Sequence, residues 1–269
     1  MKNQYSKSKG LKPYFSIIVI LSTFLISVLL FYFVLGHHSN FVGDNPENNP
    51  NEGNYFGIIY KGGFVVPFLM SFLMMVVTFS IERAYTITLA TGRGSIEDFV
   101  LKVKALLNDN KIAQAIEECE EHKGSIGNAT KAVLKKYSQM ANEPGLTKDQ
   151  KIMAIQKELE DATSLELPML EKNLTIIATL ASISTLVGLL GTVIGMIKAF
   201  AALAVAGTPN ATELANGISE ALVNTAFGIA TSALAIIAYN YFTSKIDTLT
   251  YSIDEVGFSI SQTFSANQK

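Results

Sequence analysis

Three residues in the last third of the chain carry side chains suited to handling an ion in apolar surroundings: Thr192, Glu220 and Thr225. Each lies in or beside a stretch otherwise empty of charge. No charged residue occurs from Asn173 to Ile197, and Ala221 to Ser244 is uncharged as well. Hydroxyls and carboxylates can coordinate a cation or pass on a proton, and polar groups at membrane depth mark ion pathways by default. Asn224, Thr231 and Ser232 add polar atoms to the second stretch. Lys198, near the end of the first, has a stem long enough to carry its ammonium to an interface.

The spacing matters as much as the types. Ala181, Thr185, Gly188, Thr192, Gly195 and Ala199 follow steps of four and three, which puts them on one helix face. Ala221, Thr225, Gly228, Ser232 and Ala235 do the same. Gly188, Gly195, Gly228 and Ser232 are therefore read as helix-packing or pore-lining positions, because small residues let membrane helices approach closely. Packing alone accounts for glycine and alanine. It accounts less well for the hydroxyls, although a threonine can bond its own helix backbone, and the weight falls on a pathway. In a helix starting near Asn210, Glu220 lies about 15 Å along the axis. A carboxylate at that depth is costly unless paired or wetted; the alternative is an interfacial Glu220 facing water. Five residues separate Glu220 from Thr225, so they point about 140° apart. Glu220 then borders the path or meets a neighbouring subunit.

Other chemistries lack their residues. No nucleophile–base pair stands out, so no catalytic residue and no enzyme activity is assigned. No cofactor motif stands out either. His37 and His38 are adjacent without further ligands and read as solvated rather than metal-binding. The net charge of −2 gives no electrostatic case for nucleic acid. The single cysteine, Cys119, excludes an intramolecular disulfide framework.

The elements that must hold these residues follow from blocks of hydropathy. The 269 residues are 49% hydrophobic and 16% charged, with the apolar residues gathered in runs. The reading is an all-α polytopic membrane protein with four transmembrane helices and a helical cytoplasmic domain, since about 20 apolar residues cross the hydrocarbon. Residues 1–13 hold four lysines and no acid, and residues 14–35 are an uncharged run without a small-residue cleavage pattern, read as an uncleaved anchor. Residues 36–61 form a connector rich in Asn, Gly and Pro, read as a flexible loop. Residues 62–81 are the second span, ending at Glu82-Arg83. Residues 82–172 are dense in Lys and Glu with helical spacing. Ser95 with Asp98 marks a helix start, and Ile96, Phe99, Val100, Val103, Leu106 and Leu107 make an apolar stripe. From Thr147 a helix is expected to run into the third span, kinked but not ended by Pro168. The third span is 173–205, a turn occupies 206–216, with Asn210 and Glu213 spaced as a capping box, and the fourth span is 217–244. Residues 245–269 continue as a C-terminal helix. Lysines precede the first span, Lys and Arg fill 82–172 and a lysine returns at Lys245, whereas the opposite connectors lack both over 37–60 and 206–218. The positive-inside rule then places both termini and the helical domain in the cytoplasm. One four-span copy has no chain of protonatable groups across the bilayer. Either several copies surround a pore, or a partner helix brings the missing carboxylate.

Three stretches of this sequence resemble the ExbB/TolQ/MotA family of proton-channel proteins, more closely ExbB and TolQ than MotA. They are YKGGFVVPFLMSFLMMVVTFSIERAY from Tyr60, LASISTLVGLLGTVIGMIKAF from Leu180, and ISEALVNTAFGIATSALAIIAYNYF from Ile218. The resemblance implies a homopentameric ring in the inner membrane around two copies of a single-span ExbD- or TolR-like partner, whose membrane Asp carries the ion. It implies that Thr192 and Thr225 are pore threonines and that Glu220 is the functional membrane glutamate. It implies a proton-driven motor acting on a TonB-like protein for outer-membrane import, or on a TolA-like one for envelope maintenance. The family pattern has three spans, so residues 14–35 are an addition that leaves the orientation of the shared core unchanged. A structural membrane scaffold without an ion path is the competing reading. A small-solute carrier is disfavoured, because no inverted repeat or broken-helix pair is evident.

Overall fold

A computed structural model describes residues 14–204 and 211–267; the expected N-terminal lysines, the 206–210 part of the expected 206–216 turn and the Asn210 cap lie outside them, whereas 211–216 are already helical. The described residues are helical, with one isolated antiparallel bridge between Phe41 and Pro50. In order they form α1 (Phe15–Leu30), α2 (Tyr55–Tyr60), α3 (Val66–Thr91), α4 (Ile96–Asn108), α5 (Ile112–His122), α6 (Gly124–Ala141), α7 (Lys148–Glu171), α8 (Leu174–Ala204) and α9 (Ala211–Asn267). Four helical segments among them are long and apolar enough to cross a membrane. The chain divides into two compact units, one running through Ile81 and adding Asn173–Asn240, the other made of Glu82–Lys172 and the chain from Tyr241 on.

In the first unit, α1 lies on α3 along one stripe. Val19, Thr23, Ser27, Phe31 and Leu35 are buried at steps of four, while Ile17, Ile18, Leu21 and Leu25 on other faces are exposed. The Ser27 hydroxyl donates to the Pro67 carbonyl at 2.7 Å, and Phe24 packs on Phe68. At the other end, Ser16 donates to the Asn173 side-chain oxygen at 2.8 Å. The connector after α1 is folded rather than loose, contrary to its composition. Asn40 donates to the carbonyls of Val34 and Leu35, which its helix leaves without partners. Phe41 is buried, and Tyr60 stacks on Phe31 and meets Phe41 edge-on. His37 bonds Ser39 and His38 bonds the Asp44 carbonyl, so both imidazoles serve the loop.

The second unit is a helical bundle. Ser95 caps α4 by accepting from the Asp98 amide, as its spacing predicts. Phe99, Val100, Val103 and Leu107 are buried, whereas Ile96 and Leu106 are half-buried. Ile246, Leu249, Ile253, Val256, Ile260 and Phe264 form the buried stripe of α9, and Phe264 meets Tyr137 edge-on. Pro168 sits inside α7 without ending it. The run does not continue into α8, however. Lys172 is extended and Asn173 adopts φ +66°, so two residues separate the helices. Arg83, 1% exposed, gives Nη1 to the carbonyls of Met169 (3.2 Å) and Leu170 (2.9 Å) in the last turn of α7. Its Nε and Nη2 fork onto the Glu82 carboxylate. Last-turn carbonyls have no partner within their own helix, and the guanidinium supplies one.

Candidate functional site

The helices α8 and α9 run antiparallel with their backbones in contact. A Cβ added at Gly188 would stand 3.0 Å from Gly228 Cα, and one at Gly195 would stand 2.7 Å from the Ala221 nitrogen and the Gly217 oxygen. Glycine is required here by the approach of backbone to backbone, not by its dihedral freedom. Ser232 extends the seam by donating to the Ala181 carbonyl at 2.5 Å. Gly188, Gly195, Gly228 and Ser232 are thus seam residues within one chain. Ser184, Gly191 and Gly217, not singled out by the sequence pattern, face the same contact. Thr185, counted in the small stripe, is exposed and lies off the seam.

Thr192 and Thr225 sit at the margin of this seam, both half-buried, with their hydroxyl oxygens 3.2 Å apart. Thr192 is also 2.8 Å from the Leu189 carbonyl of its own helix. A hydroxyl has one proton to give. When Thr192 donates to Leu189, Thr225 is the donor between the two threonines, and acceptor capacity remains on both. Thr192 also stands at the polar end of a shallow, open groove of about 650 Å³ along the surface of α8, lined further by Val193, Met196, Ile197, Phe200 and Ala201. All but Thr192 are apolar. Such a groove accepts an apolar surface and offers it a single polar foothold.

Glu220 lies elsewhere on α9, as the 140° offset predicts, and it is neither exposed nor unpaired. It is 6% exposed. Lys198 Nζ donates to its two carboxylate oxygens at 2.7 and 2.9 Å. Gly63, at φ +77°, lies against the same carboxylate so closely that any Cβ there would overlap Oε1. One turn on, Asn224 donates to the Gly62 carbonyl at 2.8 Å, and Gly191 leaves the room its side chain occupies. Asn224 Oδ1 is buried without a hydrogen-bond partner among the described residues. Lys198 has its ammonium on Glu220, with about half of its side chain exposed.

These pairings share one register. Residues counted forward on α8 meet residues counted backward on α9: 181 with 232, 188 with 228, 192 with 225, 195 with 221 and 198 with 220. Aligning the two glycine-bearing stripes antiparallel would have placed Lys198 opposite Glu220 from sequence. No cluster of three or more His, Cys, Asp or Glu suited to a metal occurs among the described residues.

The family model described as the MotA/TolQ/ExbB proton channel family matches residues 125–255. An ExbB-like biopolymer transport protein of Synechocystis is 31% identical over 188 residues, covering 68% of this chain and 82% of that protein. The Tol-Pal system protein TolQ of Pseudomonas aeruginosa is 35% identical over 119 residues, 44% of this chain and 52% of its own length. The biopolymer transport protein ExbB of Helicobacter pylori is 41% identical over 93 residues, 35% of this chain and 63% of that protein. The match to TolQ thus spans about half of that relative.

Proposed function

The chain belongs to the MotA/TolQ/ExbB proton channel family and, with four apolar helices of spanning length, is a multi-pass membrane protein; from that premise we propose that it is the ring subunit of an ion-driven motor of the inner membrane. The observation that carries this reading is the Thr192–Thr225 hydroxyl pair. A seam built only for packing needs Gly188, Gly195, Gly228 and Ser232. It does not need two hydroxyls at its margin, beside a groove open to a further helix. That groove suits an apolar single-span helix of an ExbD- or TolR-like partner, with a carboxylate aligned on Thr192 and Thr225.

In this reading several copies, five by family analogy, surround two partner helices, and Glu220 borders the path rather than lining its centre. Both termini and Glu82–Lys172 lie on the cytoplasmic side, in keeping with the distribution of Lys and Arg. The ion is a proton, and its flow moves the partner. The work reaches a TonB-like transducer for outer-membrane import, or a TolA-like one for envelope maintenance. Relatives carry both ExbB and TolQ names, so the transducer is the finer question. The test is to purify the intact complex in mild detergent and identify what accompanies it. A single-span protein with a membrane Asp is the expected companion, and a TonB- or TolA-like protein with it assigns the pathway. A homo-oligomer that binds no such partner, and works equally well with Thr192→Val and Thr225→Val, is a scaffold.

A further inference from the structure

The ion pair between Lys198 and Glu220 continues the register of the seam, and three elements converge on it. Glu220 comes from α9 and Lys198 from α8, and the backbone of Gly63, in the turn that opens α3, closes the remaining side. The burial is lopsided. The Glu220 side chain is 8% accessible, whereas that of Lys198 is 52% accessible. The carboxylate is thus the group removed from solvent, and the lysine reaches inward to meet it. A lone carboxylate in such a slot costs several kcal/mol, and an ammonium on both oxygens is the means to offset it.

We propose that Lys198 is the fixed counter-charge of Glu220, a positioning residue that locks α8, α9 and the start of α3 together as a neutral pair. The pair holds Thr192 and Thr225 in register without itself carrying the ion. With one ammonium across both oxygens, Gly63 against Oε1 and only 8% of the side chain accessible, Glu220 is closed off from a passing cation. The ion therefore passes a neutral pair and not a vacant carboxylate. This last step rests on the ion-path reading given above; the lock itself does not.

The experiment uses the full chain with its co-purified partner and five proteins: wild type, Lys198→Met, Lys198→Arg, Glu220→Gln, and the double variant Lys198→Met/Glu220→Gln. Thermal midpoint in detergent and proton flux in vesicles are read for each. Lys198→Met, which leaves a buried carboxylate alone, is expected to lower the midpoint by about 5 °C or more and flux by about tenfold. Glu220→Gln lowers the midpoint less, because the freed ammonium is already half exposed. Lys198→Arg keeps the charge and stays within about threefold of wild-type flux. The double variant, neutral again, returns to within about 2 °C of wild type and recovers most of the flux. Three results overturn the proposal: Lys198→Met matches wild type in both readouts; Lys198→Met and Lys198→Arg prove equivalent, so that only the stem matters; or the double variant regains stability without flux, so that Glu220 carries the ion. Absence of flux from the wild-type complex would instead sink the ion-path reading, and the midpoints alone would still decide whether the pair is a lock.

Discussion

Replacing Gly228 by Ala tests whether the α8–α9 seam is as tight as its geometry implies. In an isolated helix the change favours Ala by about 1 kcal/mol, since glycine is the poorer helix former. At this site the new Cβ would stand 2.7 Å from the Ser184 carbonyl oxygen and 2.9 Å from Gly188 Cα. Both neighbours are backbone, so neither can rotate aside. Restoring ordinary contact near 3.4 Å requires the helices to part by about 0.5–0.7 Å, and such overpacking costs about 1–3 kcal/mol. A parting of that size also takes the Thr192–Thr225 contact, now 3.2 Å, past the limit of hydrogen bonding. The net expectation is a loss of up to about 2 kcal/mol, or up to about 6 °C in midpoint for a protein of this size. Circular dichroism at the helix band in detergent reads it directly. Gly145→Ala is the control, because its nearest neighbour there is the Glu143 carboxylate at 3.8 Å and its φ is not positive. A Gly228→Ala midpoint raised above wild type, the outcome of helix propensity acting unopposed, would refute the close-packed seam.

Other consequences concern the second unit and the reactive groups. Arg83→Met should lower the midpoint strongly, by the equivalent of about 3–5 kcal/mol, because it leaves Glu82 facing a lost charge and the last-turn carbonyls of α7 facing a lost donor. Arg83→Lys should not rescue it, since only a guanidinium can fork onto Glu82 and reach two carbonyls at once; full stability of the Lys variant would disprove that role. Burial holds the His122 imidazole below its ordinary value and outweighs its hydrogen bonds with the backbone of Thr91 and Arg93. The unfolded chain therefore takes up the His122 proton first, and stability should decline as pH falls below about 6.5. In His122→Gln that decline should flatten, and an unchanged pH profile would count against it. Burial pushes the Cys119 thiol up to about 12. A maleimide at pH 8 should therefore label Cys119 only after unfolding, and rapid labelling of the native protein would contradict its burial.

What could be read from the sequence was the part governed by hydropathy and periodicity. Uncharged runs are long enough to span, and small residues at steps of four and three have few uses other than close packing. Ser95, with Asp98 three residues on, is a local cap whose geometry needs no partner from elsewhere. What escaped depended on distant partners. Arg83 looks like the end of a span, yet it is buried because carbonyls some 87 residues on need a donor. The Asn- and Pro-rich connector has the composition of a loose loop, but Asn40 and Phe41 tie it to the end of α1 and to Tyr60. The break at Lys172–Asn173 carries no proline or glycine to announce it; Asn tolerates the left-handed conformation better than other non-glycine residues. Glu220 was visible as an anomaly but its partner was not, because the register of two helices is a tertiary fact until their stripes are aligned.

The most direct measurement is proton flux through the co-purified complex in vesicles under a pH gradient, comparing wild type with Thr192→Val/Thr225→Val. Valine preserves the shape of threonine and removes only the hydroxyl. The lost interhelical hydrogen bond is worth roughly 0.6 kcal/mol to stability in membrane helices, so the midpoint should hardly move. Losing the hydroxyls along the path should cost at least about 1.4 kcal/mol in the barrier, or about tenfold in flux. A stable, assembled double variant with tenfold lower flux is the result an ion path through these threonines predicts. Unchanged flux in that variant would contradict it.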